Sequence, residues 1–372
     1  MIYYKKFDIL VKDNPKIFVD SKEARTLFDK YLFHLIEIED FNAANDKSRR
    51  HGSIDEILTL CPEVVNEVKI ITPINEQEDS KNINENSDDE LVIMRGFLEK
   101  LGFDQSKFTI EYCVKNYPNL KIDVMEQTNN FYGFSNNRHV RSQTTIKEYY
   151  EYINKRDFQK QEVWLKNKPN IIKYGVNIEL DGIPEMKEEL DKKFLPNIMY
   201  GSEYDILSYV RQNILGMTIP QLYIKTRGAW TGGHEENLRF KSININHGPG
   251  ESLWFGVHRK YCDAFTNIVK SQYKMDIFSK EGHWFPDIYF FMKHKIPVFY
   301  TVQKGGDSMI VGPGCLHWVR AFSHSLNSSW NFGSKNINQL QSCMERYELN
   351  KTINFRSIVP MVIINKITLN LH

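Results

Sequence analysis

After Gly216 the chain breaks into short runs in which apolar and polar residues alternate, and this pattern restricts the fold more than any other feature of the sequence. The runs fall at 221–225, 241–246, 253–257, 298–302 and 316–320, and several are separated by Gly-Pro or Gly-Gly turns. A period of two puts alternate side chains on opposite faces of a strand. Many short strands at such spacing predict an antiparallel sandwich or barrel. Helical spacing predicts an interlude at 259–273 and a further helix at 338–350. Upstream, helices are predicted at 24–38, 91–101, 146–156 and 185–194, the third opened by Thr144 and Thr145 as cap candidates. The stretch 76–90 is polar and acidic and reads as a linker or surface loop.

Composition removes several function classes. Of 372 residues, 41% are hydrophobic and 13% aromatic, which supplies a real core and excludes global disorder. The 48 basic and 47 acidic residues nearly cancel, so binding to nucleic acid by bulk charge is not expected. The five cysteines (Cys61, Cys113, Cys262, Cys315 and Cys343) form no C-x-x-C pair, which argues against a disulfide framework and a structural zinc site. Apolar runs such as 288–292 are too short to span a bilayer. No secretory signal follows the first residues. A soluble, intracellular protein is expected.

Of the eleven histidines, His234 alone is followed two positions on by an acid, in Gly-His-Glu-Glu over 233–236. On extended backbone His234 and Glu236 face one side while Glu235 faces the other. An imidazole and a carboxylate from one strand, with an imidazole from another, form the facial triad of non-haem iron(II) oxygenases. His317, opening a strand after the turn at 312–315, is the leading choice for the third ligand. His324, His283 and His294 are the alternatives. The competing interpretations are a chance surface pair for His234 and Glu236 and a satisfied core histidine for His317.

A polar stripe accompanies these residues. Tyr223 and Lys225 alternate with Leu222 and Ile224; Ser242, Asn244 and Asn246 alternate with Ile243 and Ile245; Thr231 lies three residues before His234. Polar groups turned into a barrel suit a barrel that holds a polar ligand, and a lysine among them suits an anion such as the distal carboxylate of 2-oxoglutarate. The competing interpretation is the wet face of an edge strand with Lys225 reaching water.

These residues sit in text that resembles the JmjC domain of UTX-type histone demethylases. The resemblance runs through Gly-Met-Thr-Ile-Pro-Gln-Leu-Tyr-Ile-Lys (216–225), Thr-Gly-Gly-His-Glu-Glu-Asn (231–237), Ser-Ile-Asn-Ile-Asn-His-Gly-Pro-Gly (242–250) and Trp254-Phe255. It continues in Gly306-Asp307, Cys-Leu-His-Trp-Val-Arg-Ala (315–321), Trp-Asn-Phe-Gly (330–333), Glu-Arg-Tyr-Glu-Leu-Asn-Lys (345–351) and Ser-Ile-Val-Pro-Met (357–361). Weaker matches at 94–97, 144–149 and 173–178 extend it over about residues 90 to 362.

The resemblance implies a mainly β protein with helical additions, built on a double-stranded β-helix, the jelly roll of cupins. Combined with the linker read from composition (76–90), it divides the chain into an N-terminal stretch of unknown role that it does not cover (1–75), a mixed segment packing before the core (91–182), the JmjC domain (183–349) and a C-terminal extension (350–372). It implies iron(II) on His234, Glu236 and His317, and 2-oxoglutarate on Lys225, Thr231, Ser242 and Asn244, with Tyr223 nearby. With O2, such a site oxidises an N-methyl group that leaves as formaldehyde. The implied partner is the methylated histone H3 tail at lysine 27 (substrate numbering), in the nucleus and in a chromatin complex, with no sequence-specific DNA binding and no membrane. Alternatives sharing the fold are a protein hydroxylase and a non-catalytic chromatin-binding module. Two departures stand out. The family follows this domain with a four-cysteine zinc module, for which this sequence has only isolated cysteines. Gly232 replaces a family proline, and a glycine predicts a looser loop around Thr231.

Overall fold

The computed structural model describes residues 65–67, 69–71, 91–128, 133–134, 140–157, 171–194, 198–257, 259–286, 290–291 and 294–360. The expected helix at 24–38 and the linker at 76–90 lie outside the described residues. The chain divides into two compact units, one of Met1–Asn66 with Asp287–Pro297 and one of Glu67–Pro286 with Val298–His372. In the smaller, Phe290 packs edge-on against Phe291 at 5.3 Å between ring centroids.

In chain order the strands are β1 (Val65–Glu67), β2 (Lys69–Ile71), β3 (Leu91–Met94), β4 (Lys121–Thr128), β5 (Val140–Thr145), β6 (Ile171–Glu179), β7 (Gln221–Lys225), β8 (Trp230–His234), β9 (Lys241–Pro249), β10 (Ser252–Val257), β11 (Val298–Gln303), β12 (Ser308–Val311), β13 (Leu316–Ala321) and β14 (Ser325–Phe332). The α-helices are α1 (Phe97–Lys100), α2 (Ile110–Asn116), α3 (Ile146–Asp157), α4 (Pro184–Lys193), α5 (Cys262–Tyr273) and α6 (Ile337–Thr352). In the larger unit one sheet carries β11-β10-β13-β8, and a nine-stranded sheet runs β2-β3-β12-β9-β14-β7-β6-β4-β5. All these pairings are antiparallel except β2 with β3. The predicted jelly roll is what forms.

The alternation seen in the sequence becomes the division between core and cavity. Ile243 and Ile245 of β9, with Leu222 and Ile224 of β7, join a large core with Phe97, Phe108, Tyr149 and Trp330, where helices cover the sheet. The intervening residues turn the other way. Each fully buried aliphatic side chain in such a core contributes about 1.5–3 kcal/mol.

The predicted helix at 91–101 forms differently. Residues 91–94 are the strand β3, and only Phe97–Lys100 is helical. Leu91 and Ile93 pack into one core while Val92 and Met94 pack into another. A strand buried on both faces reads as a continuous apolar run, which periodicity cannot separate from a helix. The helix α3 follows its predicted caps. Glu148 N donates to Thr145 Oγ1 (3.2 Å), and Glu148 Oε2 accepts from Thr145 N (3.0 Å) and Thr144 Oγ1 (2.7 Å). This reciprocal box satisfies two backbone amides at the start of the helix, those of Thr145 and Glu148. The Thr145 backbone bond first, and the two hydroxyls next, pull the Glu148 carboxyl down to about 2.

Candidate active site

His234 ends β8 and His317 is the second residue of β13. These strands pair antiparallel with His317 opposite His234, so sheet register alone brings the imidazoles together. Their ring centroids are 4.2 Å apart. Glu236 lies just past β8 at φ −65, ψ 148. The strand has ended, but the backbone stays extended, and the two-residue period carries the carboxylate to the same side as His234. One ligand-type atom from each of the three residues lies within 4.8 Å of the others. Among the described residues this is the one group of histidine, cysteine and acid side chains with that geometry.

The surroundings prepare these atoms for a metal. His234 Nδ1 donates to the Gly232 carbonyl (2.9 Å) and His317 Nδ1 donates to the Cys315 carbonyl (3.1 Å). A carbonyl can only accept, so Nδ1 of each ring carries a proton, and Nε2 is the nitrogen left to offer a lone pair to a metal. That is the usual way a protein fixes the tautomer of a ligating histidine. Ser242 Oγ donates to Glu236 Oε1 (2.8 Å) and Asn331 Nδ2 donates to Glu236 Oε2 (2.9 Å). Burial works to raise the Glu236 carboxyl, but His317, His234 and the two donors outweigh it and hold the group below its ordinary value. Burial first, then His234, pushes His317 down to about 4, with Glu236 opposing. A neutral His317 imidazole beside an ionised Glu236 carboxylate is the protonation state that a divalent cation requires.

The triad opens into a cavity of about 350 Å³. Tyr223, Lys225, Thr231, Ser242 and Asn244 all line it, so the residues singled out from the sequence share one space with the triad. Lys225 is 3% exposed. Its Nζ donates to Ser252 Oγ at 3.3 Å and sits 5.9 Å from the Trp254 ring centre. Among the described residues no carboxylate pairs with it. Burial alone pushes its pKa down to about 7. An ammonium without a counter-charge in a polar cavity is a built receptor for an anion. Asn244 Oδ1 accepts from Asn327 Nδ2 (3.0 Å), which fixes the orientation of the Asn244 amide. Tyr223 stacks on Tyr174 at 5.9 Å, and burial pushes both phenols up.

Three sequence expectations shift in detail. Asn246 does not face the cavity: its Nδ2 donates to the carbonyls of Gly250 (2.7 Å) and Gln303 (3.3 Å) and fastens the β9 turn. Ser242 faces it but directs its hydroxyl to Glu236. Gly232 does not loosen the loop. A Cβ there would lie 2.2 Å from the Gly282 carbonyl oxygen, so the absence of a side chain lets the 281–284 segment close against β8. Gly282 N donates to Gly233 O (2.9 Å) and Gly233 N to Trp284 O (2.7 Å), locking that contact from both sides. Of the alternative histidines, His283 lines the cavity but stands outside the triad.

Sequence reasoning missed Asn331 and Asn327. Both lie on β14 beside β9, and Asn331 faces Ser242 in register. For Asn331 the available signal is the Trp-Asn-Phe-Gly motif at 330–333; Asn327 lies outside it and carries no such signal.

Behind the site, Glu235 points away from the triad as the period predicts. Its Oε2 accepts from Arg346 Nη1 (2.8 Å) and Arg239 Nε (3.2 Å). Arg346, from α6, also reaches Glu281 Oε1 through Nη2 (2.9 Å), and its guanidinium lies 4.8 Å from the Phe278 ring centre. Burial first, with Glu235 adding and Arg346 opposing, pushes Glu281 up to about 7.

Comparison with known proteins agrees with this geometry. Residues 221–332 match the family model described as "JmjC domain, hydroxylase". The chain is 39% identical over 195 residues to the human (Homo sapiens) "Lysine-specific demethylase 6B", covering 52% of this chain and 12% of that protein. It is 31% identical over 200 residues to "Lysine-specific demethylase jmjd-3.1" of Caenorhabditis elegans, covering 51% and 18%. To "Lysine-specific demethylase REF6" of Arabidopsis thaliana it is 28% identical over 139 residues, covering 35% and 10%. The matched region is thus under a fifth of the length of each relative. No helix among the described residues is long and apolar enough to cross a membrane. With the triad on paired jelly-roll strands and these matches in hand, residues 221–332 of this chain carry a JmjC domain.

Proposed function

We propose that this chain is an iron(II)- and 2-oxoglutarate-dependent dioxygenase that removes methyl groups from di- or trimethylated lysine 27 (substrate numbering) of the histone H3 tail. The observation that carries the proposal is a His-Glu-His triad in one cavity with a buried lysine that has no acidic partner among the described residues. His234, Glu236 and His317 hold the iron. Lys225 takes the distal carboxylate of 2-oxoglutarate, Thr231 and Asn244 hydrogen-bond it, and Ser242 borders it while orienting Glu236. Tyr223 closes the adjoining wall. A metal held by these three side chains alone would have coordination positions to spare for the co-substrate and dioxygen.

Bound iron with 2-oxoglutarate supplies dioxygen-dependent oxidation, with succinate and carbon dioxide as co-products. The protein's own contribution is positional. Ser242 and Asn331 hold both Glu236 oxygens, and the Gly232 and Cys315 carbonyls hold the two imidazoles. Oxidation of an N-methyl to N-hydroxymethyl, followed by loss of formaldehyde, needs no nitrogen lone pair in the first step. A quaternary trimethyl-ammonium is therefore an admissible substrate.

The same proposal assigns 183–349 to the JmjC domain and 91–182 to a segment that packs before it, and it places the protein in the nucleus, acting on chromatin. The lysine demethylase names of the human and nematode relatives support it. The test is a peptide panel. The protein, iron(II), ascorbate and 2-oxoglutarate are incubated with mono-, di- and trimethylated H3 peptides, and mass loss and formaldehyde are measured. Loss of one methyl from the lysine 27 peptides is expected. Succinate without formaldehyde would replace demethylation with hydroxylation, and no turnover on any methylated peptide would refute the proposal.

A further inference from the structure

Glu281 lines the same cavity but plays no part in holding the metal or the co-substrate. Its side chain is 14% exposed. Oε1 is fully committed, accepting from Arg346 Nη2 (2.9 Å) and from the backbone N–H of Glu235 (3.2 Å). Among the described residues nothing engages Oε2. Two donors on one oxygen fix the carboxylate's position, and the second oxygen is left to the cavity.

The segment that presents it is equally fixed. Gly282 and Trp284 hydrogen-bond the backbone of Gly233, and Trp284 Nε1 donates to the Ile277 carbonyl at 3.0 Å. This closeness depends on two consecutive glycines in β8. A Cβ on Gly232 would meet the Gly282 carbonyl oxygen at 2.2 Å, and one on Gly233 would meet the Trp284 ring at 1.9 Å. A carboxylate with one oxygen pinned and one open lines a cavity that also holds Lys225, Arg141 and the triad's Glu236, and outside the triad it is, among the described residues, the one acidic group on that wall, a pole opposite to the anion receptor Lys225.

We propose that Glu281 is a specificity-determining residue whose open oxygen receives a positive charge of the bound substrate, either the methylated ammonium or a basic side chain beside it in the peptide. This rests on the reading of the cavity as a methyl-lysine site and adds the group that selects a cationic ligand. A neutral isostere of the same shape would fill the cavity but leave the open oxygen of Glu281 without a partner, which costs affinity.

The experiment is calorimetric binding of peptides to the full chain with iron(II) and the inert co-substrate analogue N-oxalylglycine, so that turnover is not needed. One arm compares a trimethyl-lysine peptide with its carbon isostere, in which the quaternary nitrogen is a quaternary carbon. The other arm compares peptides with basic and with neutral residues flanking the trimethyl-lysine. Wild type is expected to prefer the charged member of one pair by about tenfold or more, the scale of a partly desolvated charge pair. Glu281→Gln keeps an oxygen for Arg346 and should abolish that preference. Glu281→Asp, which retains the charge, should keep part of it, and it carries the test if the amide variant fails to fold. Gly232→Ala, which displaces the 281–284 segment, should lower the preference as well. No charge preference in either arm for wild type, or the same preference in wild type and Glu281→Gln, would overturn the inference. Failure of wild type to release formaldehyde in the peptide panel would overturn the demethylase reading alone, because this measurement does not depend on turnover.

Discussion

Glu235 and Glu236 are neighbours in the chain, and the fold gives them opposite electrostatic settings. Glu236 faces the cavity, where its oxygens receive hydrogen bonds from neutral donors, Ser242 and Asn331. Glu235 faces α6, where Arg346 and Arg239 both bond one of its oxygens. The first environment fixes a carboxylate and leaves its charge uncancelled, which is what a cation site needs. The second cancels the charge and ties the ligand-bearing turn to the rest of the fold. A single step along extended backbone therefore separates a group available for chemistry from a group spent on structure.

The sharpest way to break this contrast is to remove a ligand on the cavity side. His234→Ala should abolish turnover and leave the fold intact, read by metal titration beside a melting curve. Retained turnover would remove the triad from the mechanism. On the other side, Arg346→Ala leaves Glu235 and Glu281 buried with part of their compensation gone. Breaking a buried pair by removing one partner costs about 3–5 kcal/mol. Urea denaturation of the metal-free protein should show a loss of that order. A loss below about 1 kcal/mol would mean that water or Arg239 already carries the charge of Glu235.

The contrast was partly legible in the sequence. A period of two is enough to place His234 and Glu236 on one side and Glu235 on the other, and to separate Ser242 and Asn244 from Ile243 and Ile245. Alternation is a local property of the backbone, and the fold preserves it at these positions, though not at Asn246. The partners of each group are another matter. Arg346 lies 111 residues from Glu235, and Asn331 lies 95 from Glu236. No local pattern encodes such pairings, which come from register between β14 and β9 and from the packing of α6. Residues 91–94 were lost for a related reason: a strand with apolar packing on both faces has no alternation to read. Gly232 was misjudged because a glycine's intrinsic freedom is visible in sequence, whereas the carbonyl that occupies the space beside it is not.

Lys225 tests the cavity's other charge. Lys225→Met should weaken 2-oxoglutarate binding by about two to three decades, the range expected for loss of one partner of a buried charge pair. Its pH dependence follows from a pKa pushed down to about 7 by burial. The folded, ligand-free protein releases this proton near pH 7, whereas the unfolded chain holds it to the ordinary lysine range. The unfolded state thus binds more protons between those limits, so the ligand-free protein should gain stability as pH rises through that window. Co-substrate affinity should move the opposite way and fall as pH rises above 7, because only the charged lysine attracts a carboxylate. Lys225→Met should flatten both dependences, measured by denaturation and by calorimetry across pH 6–9. A wild-type affinity that rises with pH would show that the carboxylate is held elsewhere.

The smallest effect should come from the neutral donors, and it separates the two carboxylates most cleanly. Asn331→Ala removes the hydrogen bond to Glu236 Oε2 and leaves all three ligand side chains in place. Partners that orient a metal ligand are typically worth 10–100-fold in metal affinity. Iron(II) or manganese(II) affinity should fall within about that range while urea stability changes little. Glu235→Gln should do the reverse, lowering stability and leaving metal affinity nearly unchanged, since its side chain does not enter the cavity. If the two variants weakened the metal equally, the ligand turn would be transmitting strain between its faces, and the separation argued for these adjacent acids would fail.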